Sequence, residues 1–264
     1  MCRWAAYIGA PIFLDEIIAR PENSLIHQSL DARQGHTPVN ADGFGVAWYA
    51  HKPEPGLFRD VMPAWADANL GSLTQHVRAR LFLAHVRAAT GTATSRNNCH
   101  PFVHGIWSFM HNGQVGGFAQ MRRDADMLIP DALYAARRGA TDSEALFLVA
   151  LAAGLQENPR AALEIAAAKF TKLAQQKGTL PQLRLTAALS DGQRLYAVRY
   201  ASDDAAPSLF YRWSDRLGGY AVVSEPLDMS EQGWQEVTSG SFCVFEGDRV
   251  TITPFTPQDA LHIA

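Results

Sequence analysis

Leu183-Arg184-Leu185-Thr186-Ala187-Ala188-Leu189-Ser190-Asp191-Gly192-Gln193-Arg194-Leu195-Tyr196-Ala197-Val198-Arg199 is the stretch that decides the fold class. Two apolar runs flank Asp191-Gly192, a strong hairpin signal, so these strands are expected to pair antiparallel. Toward the C-terminus, residues 219–223 and 241–252 add strand, the latter turning at Glu246-Gly247-Asp248. Toward the N-terminus, residues 159–176 are rich in Ala, Leu and Lys and read as the longest helix. Thr141-Asp142-Ser143-Glu144 resembles a capping box opening another helix that runs to about Ala153. Earlier still come strands at 2–8, 44–49, 81–86 and 106–110, helices at 13–19 and 69–80, and an irregular loop at 24–40. Strands, then helices, then strands, without βαβ alternation, predict an α+β fold of packed layers. No G-x-G-x-x-G follows a strand and no G-x-x-x-x-G-K-[S/T] is present, which removes the Rossmann and P-loop readings.

The sequence has 264 residues, enough for a substantial core, with 47% hydrophobic and 19% charged residues. A formal net charge of -3 and no Lys/Arg block make nucleic acid a poor partner. The first residues do not read as a signal peptide, and no run approaches the length needed to span a bilayer, so a cytoplasmic location is expected. No internal repeat or linker divides the chain, and one domain over residues 1–264 is expected. The histidines form neither H-E-x-x-H nor a Cys/His zinc spacing, and no metal or other cofactor is expected.

Three cysteines, Cys2, Cys99 and Cys243, give no disulfide framework. Cys243 sits in a strand-like run and reads as an inert buried thiol; Cys99 is ambiguous. Cys2 differs by position. Removal of Met1 would place its thiol beside its own α-amine, which can relay the thiol proton as a general base. His85-Val86-Arg87-Ala88-Ala89-Thr90 ends an apolar strand with a guanidinium and a hydroxyl. Arg87 and Thr90 could hold a carboxylate there, or Arg87 could be a surface ion pair. His85 reads as a core-edge histidine. In His111-Asn112-Gly113, the Asn112 amide and the Gly113 N–H could converge on an oxyanion, although Asn-Gly is also a common turn. His111 could be structural or line the pocket. Asp142 could favour a helix dipole or receive an ammonium.

The ordered set Met1-Cys2-Arg3, Asp42-Gly43-Phe44-Gly45-Val46-Ala47-Trp48, His85-Val86-Arg87-Ala88-Ala89-Thr90, Asn98-Cys99-His100-Pro101-Phe102, His111-Asn112-Gly113, Thr141-Asp142-Ser143-Glu144 and Ser224-Glu225-Pro226-Leu227 resembles the class II, N-terminal-nucleophile glutamine amidotransferases. Within them it is similar to the stand-alone group that includes the ergothioneine-pathway γ-glutamyl hydrolase. The resemblance implies a four-layer αββα sandwich with mainly antiparallel sheets. It implies Cys2 as nucleophile, Asn112 and Gly113 as oxyanion hole, and Arg87 with Thr90 at the α-carboxylate. Asp142 would take the α-amino group and His111 would line the pocket. His100-Pro101-Phe102 would border the pocket, and Ser224-Glu225-Pro226-Leu227 would support the site. The implied substrate is glutamine or a γ-glutamyl small molecule. Family synthases carry an ammonia-consuming domain for which this sequence leaves no room. A hydrolase, a glutaminase serving a separate synthase subunit, and a non-catalytic γ-glutamyl-binding regulatory subunit all remain open, as does oligomerisation. Residues 24–40 and 59–70 are candidate specificity elements.

Overall fold

The computed structural model of the protein describes residues 2–34, 37–89, 91–229 and 232–257. Its first half comprises β1 (Arg3–Phe13), α1 (Asp15–Ile18), α2 (Leu25–Leu30), β2 (Phe44–Tyr49), β3 (Gly56–Asp60), α3 (Ala68–His76), β4 (Arg78–Val86), β5 (Phe102–His104) and β6 (Trp107–Val115). The helices α4 (Phe118–Asp126), α5 (Asp131–Tyr134), α6 (Asp142–Ala152) and α7 (Pro159–Gln176) follow. The last third is β7 (Leu183–Ser190), β8 (Leu195–Ala201), β9 (Phe210–Ser214), β10 (Gly219–Val223), β11 (Gln235–Glu236), β12 (Ser241–Glu246) and β13 (Arg249–Pro254).

The hairpin expected at Asp191-Gly192 joins β7 to β8, with Ser190 opposite Leu195. The Asp191 carboxylate accepts the N–H groups of Gln193 and Arg194, both at 2.8 Å, and Gly192 takes φ 82°. This is Asx-turn chemistry at a position that favours glycine. The hairpin belongs to a six-stranded sheet ordered β13-β12-β8-β7-β6-β5. A seven-stranded sheet, ordered β11-β9-β10-β1-β4-β2-β3, faces it. Every strand pairing in both is antiparallel.

Side-chain alternation along the strands divides the interior into three cores. Trp4, Ala6, Leu81, Leu83, Met110, Ala188 and Ala197 meet between the sheets. The opposite faces of β1 and β4, through Ala5, Tyr7, Phe82 and Ala84, pack on Leu14, Ile17, Ile18, Leu25 and Leu70 of the α1–α3 side. Phe109, Leu185, Ala187 and Leu189 pack outward on α4, α6 and α7. The layers are therefore helix, sheet, sheet, helix, the four-layer α+β sandwich expected from the sequence.

Four segments differ from the sequence reading: β1 runs past Ile8 to Phe13, residues 78–80 of the helix expected at 69–80 open β4 instead, and two further cases lie at residues 25–30 and at the end of β6. Residues 25–30 of the expected loop form α2, because the Ser24 hydroxyl accepts the His27 N–H at 3.2 Å and buries Leu25. The strand expected to stop at His111-Asn112-Gly113 continues to Val115. Eight residues of β6 pair in register with β7, from Ser108 opposite Ser190 to Val115 opposite Leu183. That ladder overrides the turn preference of Asn-Gly.

Candidate active site

Cys2 precedes β1, a central strand flanked by β10 and β4. The ladder fixes where it lies, since Arg3 is opposite Val86 and the chain after β4 runs past Cys2. The Ala88 N–H donates to Cys2 Sγ at 3.4 Å, and the thiol reaches the Ala88 carbonyl at 3.5 Å. Cys2 is half-buried. Burial pushes its thiol pKa up, opposed by the Ala88 hydrogen bond and the charges of Arg87 and Arg3. The thiol is thus protonated at neutral pH and needs a base to become a nucleophile. The other two thiols are buried and pushed up by that burial, Cys99 to about 11 and Cys243 to about 12, in keeping with inert roles.

The strand bearing Cys2 is tied down by Ser224-Glu225. Beyond the end of the β1–β10 ladder, the Trp4 N–H donates to Ser224 Oγ at 2.9 Å and the Ser224 N–H to the Trp4 carbonyl at 3.0 Å. The fully buried Arg3 guanidinium donates to the Ser224 and Gln34 carbonyls and lies 3.9 Å from Glu225. The Glu225 carboxylate also accepts N–H groups from Arg33 and Gln34, at 2.9–3.1 Å.

A cavity of about 460 Å³ opens over Cys2, lined also by Arg87, His100, His111, Gly113 and Asp142. Arg87 is 3% exposed and donates to the Asp42 carbonyl at 3.2 Å and to Thr92 Oγ1 at 2.6 Å. The hydroxyl on this guanidinium is therefore that of Thr92; Thr90 lies outside the described residues. Asp142 is the first residue of α6, after the Thr141 N-cap. Its Oδ2 accepts the Val115 N–H at 2.8 Å and its Oδ1 the Ser143 N–H at 2.7 Å. These bonds aim a carboxylate at the cavity and leave lone pairs for a cation.

His111 has both ring nitrogens engaged, Nδ1 with Ser143 Oγ at 2.9 Å and Nε2 with the Arg184 carbonyl at 3.0 Å. The carbonyl can only accept, so Nε2 carries the proton, while the Ser143 hydroxyl lies between His111 Nδ1 and Asp142 Oδ1, at 2.9 and 3.1 Å, with one proton to give. Burial lowers the His111 pKa, against the pull of Asp142 and the Arg184 carbonyl. Gly113 sits where a Cβ would stand 2.0 Å from the Arg184 carbonyl oxygen and 2.4 Å from His111 Nε2. Because the Val115 N–H points away from β7 to reach Asp142, the Gly113 N–H, two residues earlier, faces the same edge. The β5 pairing ends at Phe109, so that edge is unpaired at Gly113 within the described sheet. Asn112 faces the inter-sheet side with Met110; it is 1% exposed, and neither end of its amide has a partner among the described residues.

The family described as class-II glutamine amidotransferases matches residues 19–211. The chain belongs to this family. A class-II glutamine aminotransferase domain protein from Silicibacter pomeroyi has a solved structure that superposes with a TM-score of 0.80 at 46% identity, covering 98% of this chain and 100% of that one. The γ-glutamyl-hercynylcysteine sulfoxide hydrolase of Mycolicibacterium smegmatis is 29% identical over 96% of this chain and 100% of its own length. A Saccharomyces cerevisiae protein described as a probable glutamine amidotransferase is 39% identical over 57% of this chain, and the match spans only 45% of the yeast protein. Family and fold together make this a class-II amidotransferase-type enzyme acting by hydrolysis. No described helix is long and apolar enough to cross a membrane, and no group of three or more His, Cys, Asp or Glu among the described residues could hold a metal ion.

Two contributors to the site escaped the sequence reading. Thr92 stands in a polar run that offers several equivalent hydroxyls. Ser143 was in view only as part of a capping box, and its contact with His111 needs the packing of α6 on β6.

Proposed function

We propose that the protein hydrolyses the side-chain amide of glutamine or of a γ-glutamyl amide through a thioester on Cys2. The observation that carries this reading is the shared cavity: a thiol, a buried guanidinium and a carboxylate line one space. Arg87 takes the α-carboxylate and Asp142 the α-ammonium, which presents the distal amide to Cys2. His111, locked between Ser143 and Arg184, holds β6 against α6 beside them.

With Met1 removed, the neutral α-amine of Cys2 accepts the thiol proton, and sulfur attacks the amide carbon. An α-amine has an ordinary pKa of about 7.7–8.0, well placed for this transfer. The Asn112 amide and the Gly113 N–H hold the oxyanion. The protonated amine donates to the leaving nitrogen, the C–N bond breaks, and ammonia or an amine departs. Water then attacks the thioester carbonyl, the C–S bond breaks, and glutamate leaves with the sulfur reprotonated.

An electrophilic glutamine analogue should add once to the Met1-free protein, with the added mass on Cys2. Cys2→Ala should keep the fold and lose γ-glutamyl hydrolysis. Full activity in that variant, or no adduct on the wild type, rejects the mechanism. A panel of γ-glutamyl amides read by released glutamate separates glutaminase action from hydrolysis of a larger compound. Silence across the panel would favour a partner-dependent or purely binding role.

A further inference from the structure

Behind the catalytic cavity lies a polar cluster that the chemistry above uses only in part. His85, His100 and Asn112 are 1%, 4% and 1% exposed. Both ring nitrogens of His100 and both ends of the Asn112 amide have no hydrogen-bond partner among the described residues, and the His85 ring is met only by the His111 backbone carbonyl. The two imidazoles touch, with centroids 4.2 Å apart, and Phe102 meets His100 edge-on at 4.6 Å. His85 projects between the sheets by alternation with Leu81 and Leu83, and Asn112 does so by alternation with Met110. The His111 backbone, next to Asn112, lies beside the His85 ring. His100 also lines the Cys2 cavity, so the cluster adjoins the nucleophile.

An unmet buried polar group costs about 1–3 kcal/mol. A native fold retains several in one place when something occupies them. The occupant's chemistry follows from the set. Burial and the Arg87 charge hold both histidines neutral, and each neutral imidazole offers one donor and one acceptor. The amide offers both as well. An uncharged cluster with mixed donors and acceptors suits a small neutral molecule that can donate and accept, which is water.

We propose that His85, His100 and Asn112 hold the water that hydrolyses the Cys2 thioester. Asn112 would divide its amide, Nδ2 toward the oxyanion and Oδ1 toward the water. In the step itself, the water oxygen bonds to the thioester carbon and the carbon–sulfur bond breaks. One water proton passes to the Cys2 α-amine and then to sulfur. The histidines orient the water and take no net proton. This inference rests on the thioester reading.

The test uses a chromogenic γ-glutamyl anilide with His85→Phe and His100→Phe, which keep a ring in place and remove the hydrogen bonds. Rapid mixing should show one equivalent of amine released at the wild-type rate. Steady-state turnover should then fall at least tenfold, with a γ-glutamyl adduct on Cys2 visible by intact mass. His100→Gln, which retains a donor and an acceptor, should keep turnover within a few-fold of wild type. The proposal is overturned if the first release and the steady state slow together, if turnover is unchanged, or if His100→Gln is as impaired as His100→Phe. Failure of the thioester reading is separate, since the wild type would then form no adduct with the electrophilic glutamine analogue.

Discussion

Asn112 and Gly113 are assigned to the same oxyanion, yet their surroundings give them opposite responses to substitution. Asn112→Ala removes two buried polar atoms that have no partner among the described residues and leaves the β6 backbone untouched. Turnover should drop roughly 10²–10³-fold, as for loss of one oxyanion donor, while the thermal midpoint changes little. Gly113→Ala keeps the N–H but puts a Cβ 2.0 Å from a backbone carbonyl and 2.4 Å from the His111 ring. The strands must part or His111 must move, so this variant should lose stability along with activity. Parallel kinetics and thermal unfolding separate the two. A stable but inactive Gly113→Ala, beside a fully active Asn112→Ala, would move the oxyanion away from Asn112.

At the level of elements, the tie between β1 and Ser224-Glu225 makes Cys2's position depend on a residue far along the chain. Arg3 and Glu225 are both buried, and the carboxylate also gathers two backbone N–H groups from residues 33 and 34. Glu225→Leu strands the Arg3 charge and frees that segment, and loss of one partner of a buried pair costs about 3–5 kcal/mol. Denaturant unfolding should show the loss, and the variant should react more slowly with the glutamine analogue at temperatures where it is folded. Unaltered reactivity would mean that the β1–β4 ladder alone places Cys2. Elements of this kind are unevenly legible in the sequence. The helix α7 and the strands β7 and β10 coincide with the residues read as helix and strand, because period, cap and turn residues agree there. The Asn158 side chain, for instance, accepts the Ala161 N–H to start α7. The helix α2 is too short for a period to show, so the Ser24 cap is its one local signal. The helix α4 and the strand β9 take their form from neighbours across the fold. The continuation of β6 through Asn-Gly depends on its β7 partner, and pairing of that kind leaves no local mark.

At the scale of the whole molecule, the sandwich brings histidine chemistry into a space that sequence periodicity could place only at a core edge. The turn at His100 and the strand at His85 meet because β2 lets the His100 backbone approach. A Cβ on Gly45 would stand 2.2 Å from the His100 carbonyl oxygen. The glycines of β2 suggested a close approach, but the partner could only be named once β5 and β4 were in place. Enclosure has a thermodynamic consequence. The His85 pKa falls from an ordinary 6.5 to about 3, chiefly through burial, and His100 is lowered well below its ordinary value for the same reason. The unfolded chain therefore binds protons near pH 6.5 that the folded chain refuses. The stability linked to these groups is complete above pH 6.5 and is lost progressively as pH falls toward 3. Each unit of depression is worth about 1.4 kcal/mol, so the sandwich should weaken by several kcal/mol between pH 7 and pH 4.5. Urea midpoints at the two pH values measure the loss. His85→Phe removes one of the refused protons while keeping a ring between the sheets, and its midpoint should fall less than that of the wild type over the same interval. Equal losses in both proteins would place the acid sensitivity in the other imidazoles whose pKa burial lowers, His100 and His111.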